Sequence, residues 1–174
     1  MTVYMWLKIN RQDIDNSKDQ YILSSGGQSK RSRGFCFLNF HGEFTVAVST
    51  ENRQWKLKID QSKIKYDQWM QATFVWNSNT DKLSFYLNDE LLESATKGVD
   101  AVRMKPEFTI LTISRPNNAV NKEFMMPLNM AYFALWDKPL TKKEIDKAFK
   151  NGNIFCFILR LFSTHAKSAA LQNI

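Results

Sequence analysis

The sequence predicts an all-β protein, a two-sheet antiparallel sandwich with one short C-terminal helix. Three observations predict it. Apolar and polar residues alternate at period two in run after run, turn residues separate those runs at short intervals, and the only strong helix start comes late in the chain. A parallel sheet would need helices between its strands, and they are missing.

Residues 69–76 place Met70, Ala72, Phe74 and Trp76 on one side and Gln71 and Thr73 on the other. Lys82 to Leu87 alternates likewise, and the polar run Asn77 to Asp81 between them is turn chemistry, so the two form a hairpin. Asn88-Asp89 then turns the chain into Glu90-Leu91-Leu92-Glu93, a third strand of the same meander. Upstream, Phe35–Phe40 and Phe44–Ser49 flank His41-Gly42-Glu43, a tight glycine-containing connection. Residues 3–9, 21–24, 54–58, 108–114 and 128–136 complete about ten strand candidates, at the short spacing of a sandwich. The helix start is Thr141-Lys142-Lys143-Glu144, a capping box in which hydroxyl and carboxylate each take the other residue's backbone N–H. Pro139 stops the strand before it, Ile145, Ala148 and Phe149 form its apolar stripe, and Gly152 is placed to end it.

At 174 residues, with 44% hydrophobic residues, the chain is long enough for one domain with a sizeable core and too apolar for a disordered one. The sandwich is assigned to residues 1–152. Residues 153–174 form a distinct tail, an apolar run from Ile154 to Phe162, interrupted by Arg160, then a small-residue polar end; it reads as a disordered or poorly packed extension, with a docking segment or truncated anchor as the alternative. That run is about half of what a spanning helix needs, and the amino terminus shows no signal peptide. The formal net charge is +7, of which +5 remains over residues 1–152, a moderate field that favours acidic partners. Two cysteines, Cys36 and Cys156, leave the redox compartment open, and Cys36 reads as a buried thiol within an apolar strand.

Several segments in this order resemble the concanavalin A-like jelly-roll family of laminin-G and pentraxin domains. They are Thr2 to Lys8, Ile22 to Gly27, Trp69 to Trp76, Lys82 to Asp89, and the closing strand with Asp137, Leu140, Thr141, Glu144 and Ile145. The resemblance spans nearly all of residues 1–152. It implies a strand ahead of Thr2, so the chain looks clipped at its amino end with a sheet edge exposed. It also implies an extracellular setting, in adhesion receptors, matrix proteins or polycystin-like membrane proteins. The pentraxin disulfide has no counterpart, since Tyr4 and Ala72 occupy its places.

The resemblance implies calcium, which takes several oxygen ligands, some of them charged. The early loop instead carries Lys30, Arg31 and Arg33, and the later loop offers Asn117 and Asn118 without a carboxylate. No cofactor or metal is therefore expected, and Asn117 or Asn118 with backbone oxygens is what remains for one low-affinity calcium site. The hydrolases of this fold need two carboxylates on one strand face, and no strand here carries two acids at spacing two. His41 lies in a turn and His165 in the tail, which gives no histidine base among the strands, and no phosphate loop occurs. The chain is read as non-enzymatic.

What stands out is the cation cluster Lys30, Arg31 and Arg33, extended by Lys56 and Lys58, which share a strand face with Gln54 while Trp55 and Leu57 face the core. Trp69 and Trp76 are assigned to the core. The expected function is a recognition or adhesion module for an acidic glycan or protein ligand, with nucleic acid disfavoured. The alternatives are a calcium-dependent lectin and a purely structural spacer.

Overall fold

The computed structural model describes residues 1–28, 32–101, 110–117, 124–151 and 158–161, the backbone alone for 151 and 158–161. The strands are β1 (Thr2–Lys8), β2 (Asp19–Ser24), β3 (Gly34–Phe40), β4 (Glu43–Ser49), β5 (Arg53–Ile59), β6 (Met70–Asn77), β7 (Lys82–Leu87), β8 (Glu90–Thr96), β9 (Val99–Asp100), β10 (Thr112–Ile113), β11 (Leu128–Trp136) and β12 (Ile158–Leu161). The helix α1 is Lys142–Asn151. They build two sheets of six strands: the helix sheet, β12-β11-β1-β6-β7-β8, and the second sheet, β10-β2-β3-β4-β5-β9. All pairings between these strands are antiparallel, as the sequence predicts.

The hairpin turns follow from backbone chemistry. His41 and Gly42 take φ of 48° and 89°, and Asn88 and Asp89 take 48° and 66°. Two successive residues with positive φ match the right-handed twist of the flanking strands, which is why Gly, Asn and Asp dominate such turns. Between β2 and β3 the chain passes so closely that a Cβ on Gly34 would stand 2.4 Å from the Ser25 carbonyl oxygen. Glycine is required there, since φ is also +117°.

One core fills the space between the sheets. Val3, Met5 and Leu7 of β1, Met70, Ala72 and Phe74 of β6, and Leu83 and Phe85 of β7 face Phe35 and Phe37 of β3, Val46 of β4, and Trp55 and Leu57 of β5. Each such side chain contributes about 1.5–3 kcal/mol on burial. The alternation that places these residues inward is the one read from the sequence. Trp69 departs from its assignment. It is 45% exposed, because it shares the outward parity of Gln71 and Thr73 rather than the inward parity of Met70. Trp76 is half-buried, its ring 5.4 Å from that of Trp55.

The strand β1 lies inside the helix sheet with both edges paired, to β11 and β6, and the edges of that sheet are β12 and β8. Ile158–Leu161, within the tail, pairs with β11 over Leu128 to Ala131. Gly152, Cys156 and His165 lie outside the described residues, as do positions 108 and 109 of the 108–114 candidate, in whose described part only Thr112–Ile113 forms a strand, β10. Among the described residues no helix is long and apolar enough to cross a membrane.

The helix α1 covers the outer face of the helix sheet. Ile145 is fully buried, and the ring of Phe149 stacks on Trp6 at 5.6 Å and 7°. Trp6 Nε1 donates to the Tyr4 hydroxyl at 2.8 Å, and Leu140 N–H donates to Thr2 Oγ1 at 2.8 Å, tying the approach to α1 onto β1. The capping box forms as read: Thr141 N–H donates to Glu144 Oε2 at 2.7 Å and Glu144 N–H to Thr141 Oγ1 at 3.3 Å. The Thr141 backbone bond, helped by Lys138, holds the Glu144 carboxyl down at about 2. Its native pKa is depressed, so its stabilisation is present above the ordinary glutamate range and lost as pH falls toward 2. Replacing Thr141→Ala should lower stability by about 1 kcal/mol in urea titration at neutral pH. Replacing Glu144→Ala removes the carboxylate that the Thr141 N–H and Lys138 hold, so its difference from the unmodified protein should shrink as the titration is repeated at lower pH through that window.

Candidate functional site

The second sheet turns its outer face away from the core, and its rows follow from register. Gly34, Ser49 and Gln54 form one row, Cys36, Ala47 and Lys56 the next, and Leu38, Thr45 and Lys58 the third. Phe40, flanked by Asp19 and Glu43, closes the face at the hairpin end. Lys56 and Lys58 therefore project outward about 7 Å apart, beside Gln54, while Trp55 and Leu57 are buried.

The centre of this face is sealed. Tyr21, Cys36, Leu38 and Ala47 form a second apolar cluster with Phe124 packed against it. Burial pushes the Cys36 thiol up to about 12 and raises the Tyr21 phenol, with Cys36 and Asp19 adding to the latter. A thiol in that state is a small hydrophobe and not a nucleophile. What remains open is the β5 rim and the tip of the β3–β4 hairpin.

Of the cations singled out in the sequence, Lys30 and Arg31 lie outside the described residues. Arg33 sits at the opposite end of the face from Phe40 and pairs through its Nη2 with Glu51 at 3.0 Å. Lys58 pairs with Glu43 at 2.8 Å. Lys56 is held differently: its Nζ stands over the Phe40 ring, 4.6 Å from the centroid. The structure thus brings Lys56 and Lys58 together at the rim and leaves Arg33 apart.

Three residues at the hairpin tip are not marked as a site by the sequence. Phe40 is 40% exposed, His41 packs against it edge-on at 5.1 Å, and Asp19 stands across from it on β2. His41 Nε2 approaches Asp19 Oδ1 to 3.4 Å, and that oxygen accepts no hydrogen bond. The parity of Cys36, Leu38 and Phe40 is the sequence signal for the ring's outward direction.

Asn117 is buried, and Asn118 lies outside the described residues. Among the described residues no three His, Cys, Asp or Glu side chains gather where they could hold a metal ion. The neutral amide of Asn117, next to Arg115 and Pro116 in the chain, does not fit the charged oxygen shell that calcium prefers.

The family model for concanavalin A-like lectin/glucanases matches residues 1–146. The chain belongs to the concanavalin A-like lectin/glucanases superfamily. No curated protein matches it closely enough to count as a relative. Among solved structures, this concanavalin A-like domain is similar to the botulinum neurotoxin serotype D binding domain, at TM-score 0.63 and 20% identity, over 87% of this chain and 36% of that one. It is similar to the binding domain of Paraclostridial Mosquitocidal Protein 1, at 0.60 and 13%, over 87% and 37%. It also resembles the Ruminococcus gnavus IT-sialidase CBM40, at 0.60 and 9%, over 85% and 81%. The chain spans little more than a third of the two toxin binding domains, and at these identities the likeness shows the fold.

The sealed centre of the second sheet's outer face has a measurable consequence. In a Cys156→Ser variant, Cys36 should resist iodoacetamide at pH 8 in the native protein and react at the rate of a free thiol in urea. Rapid native alkylation would mean that the face is open.

Proposed function

We propose that this domain is a non-catalytic recognition module that binds an acidic glycan or protein ligand along the cationic rim of the second sheet. The observation that carries the reading is the pair Lys56 and Lys58, exposed side by side on one strand face that also ends in an exposed aromatic ring. Two cations rooted two residues apart on one strand stand on a fixed backbone spacing, which suits sulfate or carboxylate groups spaced along a polymer. Arg33, with Lys30 and Arg31 in the same loop, extends the reading toward the other end of the face. The ion pairs of Arg33 and Lys58 are solvent-exposed and of low strength, so a polyanion exchanges with Glu51 and Glu43 at small expense.

The superfamily holds lectins and glucanases alike, but the similar solved structures include a botulinum neurotoxin binding domain and a CBM40, which supports a binding role over a hydrolytic one. We place the module outside the cell on the family resemblance, as a part of an adhesion or matrix protein.

Neutralising Lys30, Arg31, Arg33, Lys56 and Lys58 together should abolish retention on a heparin column. The unmodified domain should be retained at low ionic strength, with retention falling steeply as the salt in the running buffer is raised. Equal elution of the two proteins would reject the cationic rim and leave a structural spacer as the better account.

A further inference from the structure

The tip of the β3–β4 hairpin carries a more specific arrangement than the rim as a whole, and a subsite there rests on the recognition reading above. Among the described cations of the second sheet's outer face, Lys58 and Arg33 are each paired with a carboxylate. The Lys56 ammonium is held against the Phe40 ring instead. A cation over an aromatic face keeps its charge and remains open to an anion on its other side. Phe40 itself is 40% exposed, so part of its ring is an apolar surface open to a ligand beside that ammonium. Across the strand pair, Asp19 has a carboxylate oxygen that accepts no hydrogen bond, screened by a His41 side chain that is 56% exposed.

These three groups have complementary demands. Lys56 requires an anion, Phe40 requires an apolar surface within van der Waals reach of that anion, and Asp19 requires a hydroxyl or amide donor. A pyranose bearing a carboxylate supplies all three at the spacing of one ring: the acid group, a face of C–H bonds, and hydroxyls around its rim. A simple anion such as sulfate satisfies Lys56 alone, and a neutral sugar leaves it unpaired. We propose that Phe40, Lys56 and Asp19 form a subsite for one uronate unit of an acidic polysaccharide, the ammonium pairing with the carboxylate, the ring packing on the sugar face, and Asp19 accepting a hydroxyl once His41 swings aside. Glu43 does not oppose the ligand's charge, because Lys58 already neutralises it.

The test is calorimetry with tetragalacturonate and with its fully methyl-esterified form, on the full chain and three variants. The unmodified protein should bind the acid about threefold more tightly than the ester. Phe40→Ala should weaken binding of the acid about fivefold, and Phe40→Trp should preserve it. Lys56→Gln should reduce the preference for the acid over the ester, leaving only the share due to the neighbouring cations. Far-UV circular dichroism and thermal midpoints equal to the parent's exclude a folding defect, as expected for exposed positions. Unchanged affinity in Phe40→Ala, or an acid preference undiminished by Lys56→Gln, overturns the subsite. If the subsite fails while heparin retention still depends on the cations, the recognition reading stands without it. If the unmodified protein binds neither polymer, both fall.

Discussion

Two ring contacts between the sheets underlie everything else in this fold. Phe37 of β3 meets Phe85 of β7 at 5.5 Å, and Phe35 meets Phe74 of β6 at 5.7 Å. Phe37 also touches Phe44 within its own sheet, so the contact ties neighbouring strands together as well as opposite layers. Tilted ring pairs of this kind add attraction beyond the area they bury. They also fix which residues point outward. A one-residue slip of β5 against β4 would carry Trp55 and Leu57 to solvent and drive Lys56 and Lys58 into the core, at a cost that no surface contact could offset. The position of the cationic rim is therefore a consequence of apolar packing on the other side of the same strand.

The two outer faces are finished in different ways, and this decides where chemistry is available. On the helix sheet, α1 lies across the strands, and Gln71 and Thr73 beneath it are fully buried although polar. They are satisfied locally: the Gln71 amide donates to Thr73 Oγ1, and its carbonyl oxygen accepts from Asp89 N–H at 3.3 Å. On the second sheet the centre is apolar and closed by Phe124, leaving a rim and a hairpin tip. Among the described residues, the side chains left open gather at strand edges and turns, where the scaffold holds them without enclosing them.

The parts of this architecture written in local sequence are readable from it. Period-two alternation locates the strands, and Asn88-Asp89 and His41-Gly42 locate their turns, because positive φ at successive residues is a requirement that few side chains meet. The capping box at Thr141 is equally local. Trp69 shows that parity outranks residue type: an indole suggests the core, yet the alternation itself puts it outside. The hairpin-tip arrangement depends on register between strands: Asp19 reaches Phe40 only through the β2–β3 ladder, and Lys56 reaches it only across the twisted face of β3, β4 and β5. No spacing within one strand encodes such neighbours. The antiparallel addition of Ile158–Leu161 to β11 is hidden for the same reason, since that run pairs with residues about thirty positions away.

Charge shows most clearly how composition and structure diverge. A formal net charge of +7 suggests a broad positive surface, yet Arg33, Arg53 and Lys58 each carry an acid at 2.8–3.0 Å. Exposed pairs of this kind contribute roughly 0–1 kcal/mol each, so they mute the field at a distance without locking the side chains in place. A ligand with several anionic groups can displace the acids one at a time, whereas a single anion gains little from any of them. Lys56 is different, because the ring beneath it is uncharged and nothing must be displaced before an anion arrives. First contact should therefore form at Lys56, with the paired cations engaged afterwards by whatever charge the ligand presents further along.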